Sequence, residues 1–261
     1  MIVTTSMKGQ ERLEEEARQV AHTLQCEYVT RYRKSVGQIF EEQNTDKVIV
    51  IAQDRMKYVL QGHEHEPFFF HPSSAMFRVK RLLRQERDPF VEACQLKEGM
   101  TLFDGTFGLG SDGIVASFIT GATGQVVGVE SVPVLGLIVQ KGLQRWQTKL
   151  DPLNEAMRRI TLQIGSHVAV LKETPTDAFD VVYFDPMFDL SVSESVGIAP
   201  LKTVANYEPL TKEAIQEAKR VAKQRVVLKA SRESAYFENL AFQPIVRKHA
   251  SHWYGTIELE H

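Results

Sequence analysis

The chain reads as an α/β protein with a mostly parallel seven-stranded sheet, an antiparallel hairpin at its C-terminal end, and a small N-terminal α/β domain in front. Three observations predict this. Seven apolar runs follow one another from Met100 onward: "MTLFD", "GQVVGVE", "RITLQIG", "DVVYFD", "QRVVLKA", "QPIVRK" and "YGTIEL". Helical stretches separate most of them, the arrangement of a parallel sheet covered on both faces. The last two runs have no helix between them and predict a hairpin at one edge.

Length and composition set the frame. With 261 residues there is room for one sizeable core and a smaller domain. A hydrophobic content of 43% with 25% charged residues is ordinary for a soluble globular protein. No apolar run is long enough to span a bilayer, and the N-terminus turns acidic where a signal peptide would stay apolar, so a cytoplasmic protein is expected. Cys26 and Cys94 lack the spacing of a disulfide framework or zinc site, and no metal is expected. The formal net charge of −2 excludes a globally basic nucleic-acid binder but permits a local basic face.

The elements follow in order. Ile2 to Thr5 predicts a strand, and Leu13, Ala17, Val20, Ala21 and Leu24 recur at helical spacing after it. "KVIVIA" is a buried-strand pattern, with "KYVL" as its hairpin partner or next strand. "HEHEPFFFHPSS" breaks the pattern, placing the end of the first domain near residue 70 and the second domain over residues 71–258. Residues 259–261 look like the start of a tag remnant. A basic helix over residues 73–90 carries Val79, Leu82 and Leu83 on one face; its Arg78 and Arg81 are candidate phosphate contacts, or simply a solvated face. "GSDGIVASFIT", "VPVLGLIVQKGLQRWQTK" and "EPLTKEAIQEAKRVAK" supply the helices between later strands. Arg31, Tyr32, Arg33 and Lys34 form a second basic candidate surface.

"TLFDGTFGLGSDG" places Gly108, Gly110 and Gly113 between a strand and a helix, formally GxGxxG. Glu130 ends the next strand about 20 residues beyond Gly110, where an acid can accept both hydroxyls of a ribose. A nucleoside-containing cofactor is therefore expected. A dinucleotide would bring its pyrophosphate against Asp104, which repels an anion. Asp104 fits better beside a cation, and S-adenosylmethionine carries a sulfonium and an ammonium group without a phosphate. Asp104 as a turn cap and a nicotinamide-dependent dehydrogenase remain the rival readings.

"VVYFDPMFDL" delivers Asp185, Pro186 and Phe188 at the tip of another core strand, where ligands of open α/β sheets bind. The Asp185 carboxylate and the Pro186 carbonyl can take the two hydrogens of an exocyclic base amine and orient its nitrogen. Phe188 can stack the attached ring. The structural alternative is a strand cap with Phe188 in the core. Lys229, at the end of "VVLK", is either a substrate contact or a strand-end charge reaching for solvent. "FDLSVSESVGIAPLKTVANY" reads as a lid or a disordered loop.

These residues resemble the class I S-adenosylmethionine-dependent methyltransferases, and more narrowly the family of the RsmJ-type 16S rRNA guanine-N2 methyltransferases. The resemblance covers about residues 100–258, through "DGTFGLGSDG", "VVYFDPMF" and "RVVLKASR". It implies a Rossmann-like methyltransferase fold, with Asp104, Gly105, Gly108 and Gly110 at the methionine end of S-adenosylmethionine, Glu130 on its ribose and Ser166 beside its adenine. It also implies Asp185, Pro186 and Phe188 at the reacting amine, and ribosomal RNA or the small ribosomal subunit as partner. Met187 stands where many amino-methyltransferases have a second proline, and the N-terminal domain matches only loosely. A small-molecule methyltransferase and a nonenzymatic RNA-binding protein with a vestigial fold are the competing functions.

Overall fold

A computed structural model describes residues 1–186, 209–248 and 250–260. Its described residues form two compact units. One contains Met1–His71 and Leu137–Trp146; the other contains the described residues of 72–136, 147–186 and 206–260.

The first unit holds β1 (Ile2–Thr5), α1 (Gln10–Thr23), β2 (Glu27–Tyr28), α2 (Val36–Gln43), β3 (Lys47–Ile51), β4 (Met56–Leu60) and β5 (Phe68–Phe69). Its sheet runs β2-β1-β3-β4-β5, with β1 parallel to β2 and β3 and the rest antiparallel. α1 buries Leu13, Ala17, Val20 and Ala21, the stripe its spacing predicts. α2 starts with a capping box, in which the Ser35 hydroxyl accepts from Gln38 N and the Gln38 side chain accepts from Ser35 N. β2 and β5 escape the sequence pattern, because two residues are too few to show any period.

The second unit adds α3 (Ser73–Leu83), α4 (Pro89–Cys94), β6 (Thr101–Asp104), α5 (Ser111–Thr120) and β7 (Gln125–Glu130); α6 (Pro133–Arg145) starts in it and belongs to the first unit from Leu137 onward. The chain continues through α7 (Asp151–Arg159), β8 (Thr161–Ile164), α8 (His167–Glu173) and β9 (Phe179–Phe184). α9 (Lys212–Val221), β10 (Ala222–Ser231), α10 (Tyr236–Asn239), β11 (Gln243–Ile245) and β12 (His252–Glu258) complete it. The sheet order is β11-β12-β10-β9-β6-β7-β8, with only β12 reversed, so that it pairs antiparallel with both β10 and β11. This is the seven-stranded, mostly parallel sheet with an edge hairpin that the sequence predicts. No described helix is long and apolar enough to cross a membrane.

The register decides what the sheet presents at its carboxyl edge. Asp104 lies opposite Tyr183 and Gly128, Leu228 opposite Phe184, and Glu130 opposite Ile164. Asp104 and Glu130 therefore end β6 and β7 and Asp185 directly follows β9, while Lys229 lies within β10, one residue past the Leu228 that pairs with Phe184. Side chains alternate along a strand, so Tyr183 and Asp185 share one face of β9. The opposite face packs Phe103, Val182, Phe184 and Leu228 into a core with Ala214, Ile215 and Ala218 of α9.

Candidate active site

The turn after β6 is shaped by two aromatic rings. A Cβ on Gly105 would lie 2.3 Å from the Phe184 ring. Cβ atoms on Gly110, Gly113 and Gly128 would lie 2.5, 2.3 and 2.1 Å from the Phe107 ring. Phe107 thus sits on bare backbone from the turn, α5 and β7, and three of these glycines are explained by close approach to one side chain. Gly108 differs. Its φ is 53°, no side chain crowds it, and its N–H donates to Glu130 Oε2 at 3.0 Å.

Glu130 organises the neighbouring loop as well. Its Oε1 accepts from Val132 N at 2.8 Å, and burial raises its pKa while the N–H groups of Val132, Gly108 and Ser131 act against burial. Gly165 N donates to the Glu130 carbonyl at 2.9 Å and joins the ends of β7 and β8, with Ser166 next in the chain. Ser166 opens α8 without a side-chain cap bond.

Asp104 is 2% exposed. Its Oδ1 accepts from Thr106 N at 3.1 Å. Burial, followed by the charge of Asp112, pushes its carboxyl well above the usual carboxylate range; Asp185 and Glu130 push the same way. Among the described residues no cation pairs with Asp104 or Glu130.

Asp185 is fixed from both sides. Its N–H donates to Thr106 Oγ1 at 2.6 Å, tying the tip of β9 to the glycine turn. Lys229 Nζ donates to its Oδ2 at 2.5 Å, and among the described residues Oδ1 carries no hydrogen bond. Burial raises the Asp185 pKa, Lys229 opposes it, and Asp112 adds to the rise. Pro186 follows, half-buried. Phe188, Met187 and the loop up to Tyr207 lie outside the described residues.

The structure therefore brings together Asp104, Gly105, Gly108, Glu130, Asp185 and Lys229, with Gly110 behind them under Phe107. Arg78 also arrives, but from inside. Its Nε and Nη2 donate to Asp88 Oδ2 and Oδ1 at 2.8 and 2.9 Å, and its Nη1 donates to Asp112. A guanidinium so engaged is a buried bridge between α3, α4 and α5, which corrects the expectation of a phosphate contact. Arg81 stays on the outside of α3 and pairs with Glu86. Ala75 and Val79 are buried, whereas Leu83, expected on the buried stripe and the last residue of α3, is half exposed. In the first unit Arg31 folds onto the backbone, donating to Lys34 O at 2.9 Å and Thr5 O at 3.3 Å.

Asp112 is the residue that sequence reasoning missed. It is the sole ionisable group of the apolar helix "SDGIVASFIT", and that isolation was its signal. Its Oδ2 accepts from Tyr183 Oη at 2.8 Å and faces Lys229 Nζ at 3.5 Å. Burial would raise its pKa, but Lys229 and Arg78 overcome burial and hold it below the usual range.

A family model described as "Putative SAM-dependent methyltransferase" matches residues 34–252. The chain is 40% identical over 258 residues to "Uncharacterized protein YpiP" of Bacillus subtilis (strain 168), spanning 98% of this chain and 99% of that protein. It is 28% identical over 213 residues to "Ribosomal RNA small subunit methyltransferase J" of Acinetobacter baumannii (strain SDF), covering 75% of this chain and 72% of that one. Among solved structures, the SAM-dependent methyltransferase NGO1261 from Neisseria gonorrhoeae shares the fold, with a TM-score of 0.64 at 18% identity over 99% of this chain and 96% of that chain. A mostly parallel sheet with an edge hairpin, a glycine turn that follows a buried acid, an Asp-Pro strand tip and a family match across most of its length together place this chain in the SAM-dependent methyltransferase family.

Proposed function

We propose that the enzyme transfers a methyl group from S-adenosylmethionine to an exocyclic amino nitrogen of a nucleobase, guanine N2 of ribosomal RNA. The observation that carries the cofactor half is the imbalance of charge at the sheet edge. Among the described residues two cations, Arg78 and Lys229, serve Asp88, Asp112 and Asp185, whereas buried Asp104 has only a backbone N–H. A carboxylate in that position is costly unless a positive group meets it. A ligand carrying a sulfonium and an ammonium fits; a pyrophosphate does not. Asp104 would hold the cationic methionine end and Glu130 the ribose hydroxyls, with Ser166 along the adenosyl part.

S-adenosylmethionine supplies an activated methyl group, whose bond to sulfur breaks with the electron pair left on sulfur as the new carbon–nitrogen bond forms. The protein has to orient the amine and accept the proton that its nitrogen loses. Asp185 Oδ1 is available for one amine hydrogen, because Lys229 occupies Oδ2. The Pro186 carbonyl would take the other, and Phe188 would stack the base.

Two observations support RNA as the substrate. The Acinetobacter relative is named for the small-subunit ribosomal RNA. On the outer side of α3, Phe77 is 64% exposed and lies within one helical arc of the exposed Lys80, Arg81 and Arg84. An aromatic ring among cations suits a stacked base and its phosphates. The test is transfer of labelled methyl from S-adenosylmethionine onto total RNA of a strain lacking this protein, followed by nucleoside analysis. Label in N2-methylguanosine is expected. Label only on ribose or on a ring carbon would overturn the assignment.

A further inference from the structure

We propose that Asp112 is a positioning residue for methyl transfer: it holds the Lys229 ammonium on one oxygen of Asp185 and so leaves the other oxygen facing the acceptor amine. This rests on the reading of Asp185 given above.

The geometry is specific. Lys229 Nζ lies 2.5 Å from Asp185 Oδ2 and 3.5 Å from Asp112 Oδ2, so it sits between two carboxylates with Asp185 as the nearer. Asp112 cannot swing to follow it. Tyr183 Oη donates to the same Oδ2 at 2.8 Å, and Arg78 Nη1 donates to Oδ1. Arg78 is anchored in turn by Asp88, whose Oδ1 also accepts from Phe90 N at 3.0 Å and Val91 N at 3.3 Å at the start of α4. Four elements, α3, α4, α5 and β9, therefore converge to fix a carboxylate that touches neither proposed substrate nor cofactor. A lone lysine at 26% side-chain exposure would be free to chelate both oxygens of Asp185 or to leave for solvent. Asp112 draws it away from the first of these, and the two carboxylates together hold it from the second.

The chemical consequence lies in the proton. As the nitrogen gains the methyl carbon it becomes a cation and releases one proton to Asp185 Oδ1, which passes it to solvent. Asp185 must be ionised beforehand. The charged and titratable groups facing it are Lys229 on β10, Asp112 on α5, Asp104 on β6, Tyr183 on β9, and His252 and Tyr254 on β12. Lys229 and His252 favour ionisation, and the carboxylates oppose it.

Single-turnover transfer measured against pH tests the proposal, because a merely structural role would not move its acid limb in two directions. Lys229→Met should raise that limb by about one pH unit, and Lys229→Arg should return it toward wild type. Asp112→Asn should lower the limb, since it removes an opposing charge, and slow transfer about 10- to 100-fold through misplacement. S-adenosylmethionine affinity should stay within about threefold in all three variants. If Asp112→Asn does not fold, the two lysine variants decide. Transfer abolished in Asp185→Asn with unmoved limbs in the other variants would overturn this proposal alone. Undiminished transfer in Asp185→Asn would overturn the reading of Asp185 and this proposal with it.

Discussion

β1 and β6 are built alike and end differently. Each is an interior parallel strand, and each leads into a glycine at positive φ that opens a helix without a side-chain cap: Gly9 at 77° before α1 and Gly110 at 75° before α5. β1 ends in Thr4 and Thr5, fully buried and uncharged. β6 ends in Asp104, equally buried and ionisable. A glycine N-cap at positive φ between strand and helix is thus a backbone device that occurs twice among the described residues. What separates the two ends is a buried acid without a counter-charge among the described residues, and that difference, more than the glycines, marks the proposed cofactor site.

Asp104→Asn attacks the difference directly. It keeps an acceptor for Thr106 N–H and removes the charge, so affinity for S-adenosylmethionine should fall by about 100-fold or more, the scale of stripping one partner from a buried ion pair. Stability should move the other way. A carboxyl whose folded-state pKa lies above its unfolded value binds more protons when folded, so its cost appears as pH rises past the unfolded pKa. The variant should therefore melt higher at pH 7 and match wild type near pH 3, which thermal unfolding at the two pH values checks. A variant destabilised at pH 7 would contradict the account.

The glycines sharpen the contrast at a smaller scale. Gly128→Ala drives a methyl to 2.1 Å from the Phe107 ring, itself 4% exposed and pressed by Gly110 and Gly113. Overpacking there should cost about 3 kcal/mol in denaturant unfolding. Gly9→Ala meets nothing within 4 Å and carries only the positive-φ penalty, about 1 kcal/mol. Equal costs would mean that the second turn is not shaped by Phe107.

Thr5→Val should have the mildest effect. The Thr5 hydroxyl is buried without a hydrogen-bond partner among the described residues, so its removal should leave stability unchanged or raise it by up to about 1 kcal/mol, with transfer unaffected. A clear loss would show that the end of β1 holds a polar function after all.

The same contrast explains what the sequence disclosed. The five parallel runs of the larger sheet were legible because buried parallel strands are apolar over most of their length, and the edge hairpin because no helix separates its strands. Asp104, Glu130 and Asp185 were legible because each ends such a run. Asp112 was not, since its partners Arg78, Tyr183 and Lys229 are distant in sequence and meet only in the fold. Arg78 misled for a related reason. Among neighbouring arginines nothing local distinguishes the one that turns inward, and only Asp88 and Asp112 decide it. The grouping of residues 137–146 with the first unit was equally hidden, because α6 is one uninterrupted helix in the sequence.

Calorimetric titration of the wild-type protein with S-adenosylmethionine between pH 5 and pH 7, in buffers of different ionisation enthalpy, tests the central claim most directly. If the uncompensated Asp104 receives the cationic end of the ligand, binding must expel a proton and tighten as pH rises, and both effects must vanish in Asp104→Asn. Affinity independent of pH in wild type, with no proton released, would contradict it.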